Sequence, residues 1–146
     1  MGIPVNTILD RKGHDVGTIA PGATVTDALA ELKRFDVGAL VVSQDDRHVE
    51  GVVSERDIVR RLAEAGASAL QETVGSIMSS DVTVCDRSTS TDDLIVMMTE
   101  RRIRHVPVVH DQALVGIVSI GDIVKWRMEE LADEAKQLEH YVTGSY

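Results

Sequence analysis

The chain contains one ten-residue phrase twice, as GVVSERDIVR at positions 51–60 and as GIVSIGDIVK at positions 116–125. The segments upstream of the two phrases, 37–42 and 103–108, also resemble each other. The repeat has a period of about 65 residues, which is too short for one copy to cover its own hydrophobic face. The sequence therefore predicts two copies of one structural unit that pack against each other.

Each phrase is typical of a strand, a tight turn and the start of a helix. An apolar, β-branched run ends at Ser54 or Ser119, and three residues later Asp57 or Asp122 opens a stretch of helical spacing. One interpretation is a helix N-cap, which contributes about 1 kcal/mol. The other is a binding site, and the same pair at the same place in both copies favours it.

Hydrophobic spacing predicts the order β-α-β-β-α in each copy, and hence a mixed α/β (α+β) fold built as a pseudo-two-fold pair. The helix between the first and middle strands of repeat one is expected over 26–35, with Ala28, Leu29 and Leu32 facing inward. The predicted organisation is repeat one at 1–66, a small-residue linker at 67–73, repeat two at 74–127 and a helical extension at 128–146.

Composition limits the classes of partner. With 24 acidic and 15 basic side chains, the formal charge of −9 opposes binding to nucleic acid or to an anionic membrane. Cys85 is the only cysteine, which excludes an intramolecular disulfide and fits a buried strand position in a cytoplasmic protein. Because no metal-ligand spacing and no nucleophile with a matching base stand out, we expect neither a metal site nor an enzyme.

The doubled Gly-apolar-apolar-Ser-x-x-Asp-apolar segment resembles the motif of tandem CBS domains, regulatory modules first named for cystathionine beta-synthase. The resemblance covers roughly residues 3–127. The segments 6–9, 102–108 and 141–146 look especially like the small stand-alone pairs of bacteria and plant mitochondria. Such a resemblance implies a disc-like pair of repeats with two clefts that bind adenosine compounds.

The resemblance also assigns residues to the two clefts. In such modules the Asp bonds the ribose hydroxyls, the Ser contacts ribose or phosphate, and the middle strand packs on adenine. Carried over by position, the first cleft has Ser54 and Asp57 with Gly38, Ala39 and Leu40, and the second has Ser119 and Asp122 with His105, Val106 and Pro107.

Phosphate requires positive charge, and two basic clusters supply it locally. Arg104 and His105 lie at the start of a middle strand, where phosphate binding is favoured over a merely solvated face. Arg56 is a weaker candidate. Since Gly121 takes the place of Arg56 in the second copy, the two clefts are not expected to be equivalent.

The tail carries an apolar seam of heptad spacing, formed by Val124, Met128, Leu131, Ala135, Leu138 and Val142. A seam of this kind either folds back on its own core or pairs helices across a homodimer, and the narrow stripe favours pairing. Trp126 lies off the stripe and fits either an interface or the base of its own helix.

These observations lead to one principal hypothesis and one alternative. The first is a non-catalytic sensor that binds AMP, ATP or NAD in its clefts, has no obligatory cofactor, and signals to an effector protein in trans. The alternative is a structural dimerisation or adaptor module whose clefts are vestigial.

Overall fold

The computed structural model describes residues 2–144, so Met1, Ser145 and Tyr146, at the ends of the predicted ranges 1–66 and 128–146, lie outside the described residues. The repeat and its mixed α/β class are confirmed. The elements are α1 Val5–Lys12, β1 Thr18–Ile19, α2 Val25–Phe35, β2 Ala39–Val42, β3 Gly51–Ser54, α3 Glu55–Ala65, a 3-10 helix Gly66–Gln71, α4 Val74–Ile77, α5 Thr91–Arg101, β4 His105–His110, β5 Ala113–Ser119 and α6 Ile120–Thr143.

Matching caps define the helix between the first and middle strand of each repeat. Thr24 begins α2 and Ser90 begins α5, each accepting a hydrogen bond from the backbone amide three residues later. The same helices end at Asp36 and Arg102, both left-handed with a φ of 55°. The backbone therefore follows the repeat even where the side chains differ.

Two small sheets carry the repeats. In the first, β1 pairs in parallel with β2, and β2 pairs antiparallel with β3. In the second, β4 pairs antiparallel with β5. The counterpart of β1 in repeat two is reduced to one parallel bridge between Cys85 and Val108. The second copy therefore follows the predicted order only loosely at its first strand.

The first helix of each repeat packs in the core of the other repeat. Val5 and Leu9 of α1 are fully buried in the core that contains Leu94 of α5 and Val106 of β4. Conversely, Val74 of α4 belongs to the core of repeat one. This exchange ties the two repeats into one packing unit, although the sequence assigned each helix to the repeat it precedes.

The sequence predicted side-chain positions that include those of Leu29, Cys85 and Trp126. Leu29, expected inside, is 39% exposed because α2 turns only Val25, Ala28 and Leu32 fully inward. Cys85 is buried as expected. Trp126 packs near the start of its own helix, α6, in the core of repeat two.

Candidate functional site

The two Ser-Asp pairs form the same capping box at the starts of α3 and α6. The Ser54 amide donates to Asp57 Oδ2 at 2.8 Å, and the Asp57 amide donates back to Ser54 Oγ at 3.3 Å. The corresponding distances for Ser119 and Asp122 are 2.8 and 3.1 Å. Capping is therefore a role of both pairs. In residues 2–144 neither carboxylate's Oδ1 accepts a hydrogen bond, which leaves one acceptor atom on each.

A cleft of about 910 Å³ lies over the first of these pairs and is built by both repeats. Ser54 and Asp57 line it at the junction of β3 and α3, together with Gly38 before β2. Arg104 and His105, at the start of β4, complete it from repeat two. The structure thus joins residues predicted for the first cleft with His105, which the resemblance placed in the second, and with the phosphate candidate Arg104.

Arginines dominate the charge of this cleft. Its lining includes Glu55, Asp57 and Asp81 as acidic residues, and five exposed arginines, namely Arg56, Arg60, Arg101, Arg102 and Arg104. Within the described part of the chain, none of the five side chains forms an ion pair or a hydrogen bond. A positive groove therefore exists on a chain whose overall charge is −9.

The second Ser-Asp pair has a different electrostatic setting. Lys12 Nζ of α1 lies 2.7 Å from Asp122 Oδ2 and donates to the Ile117 carbonyl at 2.9 Å. Burial of the Asp122 carboxyl raises its pKa, but the Lys12 ammonium and the bonds from Ser119 outweigh this, so the pKa lies below its ordinary value. Asp122 is therefore a carboxylate paired with an ammonium, and no pattern in the sequence singled out Lys12 as its partner.

His105 lies between the two pairs. A Cβ placed on Gly38 would be 3.4 Å from two atoms of its imidazole, which is van der Waals contact, so position 38 lies directly against the ring. Burial lowers the pKa of His105, and Asp122 offsets this only in part. The lowered pKa favours the neutral imidazole, and His105 is part of the cleft lining.

Six predicted residues do not line this cleft, namely Ser119 and Asp122 of the second pair and the strand residues Ala39, Leu40, Val106 and Pro107. All four residues of β2 are buried, and the Leu40 side chain is fully enclosed in the first core. Ala39, Val106 and Pro107 are buried as well. Strand residues that fill a core have no side-chain surface to offer a ligand, so the predicted contacts with adenine from these side chains find no geometric support.

The remaining lining comes from residues that the sequence did not single out as a site. Val52, Val59, Val82 and Ile103 provide its apolar part. Asp81, one of four lining residues in the segment after α4, carried no signal in the sequence because its position depends on the exchange of α1 and α4. Arg101 and Arg102 were visible only as members of a basic cluster.

Within residues 2–144, no group of three or more His, Cys, Asp or Glu side chains is placed to hold a metal ion. No helix in the same range is both long and apolar enough to cross a membrane.

Comparison with known proteins identifies the architecture. The CBS domain family model matches residues 8–64 and 74–129. The chain is 36% identical over 127 residues to the CBS domain-containing protein CBSX3, mitochondrial, of Arabidopsis thaliana, covering 84% of this chain but only 62% of that relative. A CBS-domain-containing protein of Agrobacterium tumefaciens superposes with a TM-score of 0.83 at 42% identity, over 87% of this chain and 95% of that one.

A more distant structure shares the fold. The CBS domain pair of protein MJ0100, solved with 5-methylthioadenosine and S-adenosyl-L-methionine, has a TM-score of 0.78 at 23% identity and covers 89% of this chain and 99% of that one. The two repeats, the capped Ser-Asp pair in each of them and the match to the family model all indicate the same family. The chain therefore belongs to the CBS domain family, with one CBS domain in each repeat.

Proposed function

We propose that this protein is a non-catalytic regulatory module that binds an adenine nucleotide of the AMP, ATP or NAD class and passes its occupancy to a partner protein in trans. CBS-domain pairs are regulatory modules, and the MJ0100 pair binds adenosine-containing ligands. The observation that carries the proposal is the cleft in which five unpaired arginines surround the Ser54-Asp57 pair. The cytoplasmic location expected from the sequence stays a prediction.

The ribose is assigned to the Ser54-Asp57 pair. Asp57 uses Oδ2 for the cap, and Oδ1 remains to accept a hydrogen bond from a ribose hydroxyl. A hydrogen bond to a charged group contributes about 1.5 to 3 kcal/mol. The base then rests on the apolar lining, because adenine needs a flat apolar surface and few polar partners.

The phosphates are assigned to the arginines. Guanidinium groups that have no internal partner lose no existing ion pair when phosphate binds, and their planar donors suit phosphate oxygens. Five such groups around one cleft favour a ligand with several phosphates, so we expect ATP to bind more tightly than ADP, and ADP more tightly than AMP. Because the arginines are exposed, this preference weakens as salt increases.

Calorimetry tests the proposal directly. Purified protein is freed of any retained ligand by unfolding and refolding, the released material is identified by mass spectrometry, and AMP, ADP, ATP, NAD and adenosine are titrated at two salt concentrations. Arg104→Gln should weaken ATP binding by about three- to tenfold, corresponding to a partly screened charge-assisted contact. Arg47→Gln, an exposed arginine outside the cleft, is the matched control. If none of these compounds binds below millimolar concentration, the proposal is wrong.

A homodimer through α6 is part of the proposal. The seam predicted from the sequence is exposed on this helix, with Met128 65%, Leu138 64% and Val142 80% accessible. It therefore does not fold back on its own core within the described residues. A narrow apolar stripe of heptad spacing on an otherwise polar helix is the pattern by which two copies pair.

Sedimentation measures the assembly. Leu131→Glu on the seam should convert a dimer to a monomer, whereas Gln137→Glu, off the seam on the same helix, should leave it unchanged. An adaptor with vestigial clefts would also lose assembly in Leu131→Glu, but nucleotides would not raise its melting temperature. A dimer that survives Leu131→Glu places the interface elsewhere.

A further inference from the structure

The two first helices, α1 and α4, differ in length, and this difference reaches the Ser-Asp pairs. After α4 ends at Ile77, the chain extends and Ser79 exchanges two backbone hydrogen bonds with Val52 at 2.9 and 3.0 Å. In the other repeat, α1 continues to Lys12. The carbonyl of Ile117, the counterpart of Val52, instead accepts from Lys12 Nζ at 2.9 Å. The lysine side chain thus replaces a backbone donor.

This replacement places a cation on the second pair. The ammonium that bonds Ile117 also lies 2.7 Å from Asp122 Oδ2, and the two side chains are only 31% and 23% exposed. When the first helices are aligned at Val5 and Val74, the counterpart of Lys12 is Asp81, which lines the cleft of Asp57. The two repeats therefore carry opposite charge at one position beside equivalent aspartates.

We infer that Lys12 closes the second Ser-Asp pair to a nucleotide, so that each chain binds one nucleotide, at the Ser54-Asp57 cleft. This inference rests on the proposed function. Lys12 bonds the Oδ2 atom that also caps α6, so a ribose diol approaching Asp122 would crowd an ammonium already held there by a charge-assisted bond. The neutral hydroxyls offer a weaker interaction in return. Among residues 2–144, no lysine or arginine is bonded to Asp57, and its cleft is open.

The stoichiometry of ATP binding to the full chain tests the inference. The titration should give one site per chain. Asp57→Asn should weaken binding tenfold or more, and Asp122→Asn should change it by less than threefold. Asp27→Asn is the matched control, because Asp27 forms the same capping box with Thr24 outside the cleft. Any loss that Asp27→Asn shares reflects the cap rather than the ligand.

Lys12→Gln tests the lysine itself, because glutamine keeps a donor for the Ile117 carbonyl and removes the charge. This variant should show a second, weaker binding event, and Lys12→Gln with Asp122→Asn should lose that event again. Thermal melts check that each variant is folded, and Lys12→Met serves as a second variant if glutamine does not fold.

Each outcome separates this inference from the proposed function. Three results would overturn the inference while nucleotide binding stands. They are two binding sites in the unaltered chain, a loss of binding in Asp122→Asn, and no second binding event in folded Lys12 variants. A several-fold loss at the first site in Lys12→Gln would also overturn it, because Lys12 would then contact the bound ligand. No binding to the unaltered chain would overturn both.

Discussion

The packing of α1 into the core of repeat two can be tested with one pair of residues, Leu9 and Gly116. Leu9 is fully buried, and a Cβ added at Gly116 of β5 would lie 2.8 Å from both of its terminal carbons. Carbon atoms in favourable contact are about 3.5 to 4.0 Å apart. Gly116→Ala therefore forces Leu9 away from the strand, while Leu9→Ala leaves a cavity at the same place.

The two single changes should each be costly, and the double change should not be their sum. Leu9→Ala is expected to lower the free energy of unfolding by about 2 to 5 kcal/mol, from lost burial plus the cavity. Gly116→Ala should cost about 1 to 3 kcal/mol through overpacking. In the double variant the clash is gone and the new methyl group fills part of the cavity. It should thus be no less stable than Leu9→Ala alone, a favourable coupling of about 1 to 3 kcal/mol.

Urea unfolding followed by circular dichroism gives the four free energies of this cycle. Gly22→Ala is the control, because nothing lies within 4 Å of a Cβ there, and it should be additive with Leu9→Ala. If Leu9→Ala and Gly116→Ala add to within about 0.5 kcal/mol, the two sites do not touch, and the exchange of first helices is refuted.

Two further predictions concern titratable groups. Burial, and to a smaller extent Asp86, raises the pKa of Cys85 to about 12. A thiol reagent should therefore modify Cys85 only as fast as the protein opens. Reaction within the mixing time in native buffer would contradict the burial of this thiol. Burial lowers the pKa of His105 from its ordinary 6.5, so the unfolded chain takes up this proton first as pH falls, and the free energy of unfolding should decline below about pH 6.5. His105→Gln should remove that part of the decline. If the free energy of unfolding depends on pH in the same way in this variant and in the unaltered chain between pH 7.5 and 5.5, His105 is not desolvated.

The repeat and its motifs were readable because their causes are local. The Ser-x-x-Asp spacing specifies a capping box wherever a helix begins, and Ser54 and Ser119 both form it. The arginines that now line the cleft were visible as clusters. The seam of α6 was visible for the same reason, since its period is fixed by the helix itself.

Contacts between the repeats were not readable, because they depend on which faces meet. Leu40 and Val106 matched the expected positions of ligand contacts, yet their side chains fill the two cores. His105 was assigned to the second cleft and lines the cleft of Ser54 and Asp57. Nothing in the spacing of Lys12 and Asp122, which are 110 positions apart, indicated that they touch.

The sequence alone determined that this protein is a duplicated α/β unit with a capped Ser-Asp pair in each copy and an apolar seam on its last helix. Each of these features is encoded within one or two turns of chain. Only the tertiary structure decided that α1 and α4 are exchanged and that Lys12 neutralises Asp122. It likewise decided that five unpaired arginines line the cleft of Asp57. The physical reason is that charges act through space, so equivalent aspartates acquire different neighbours once the two halves pack together.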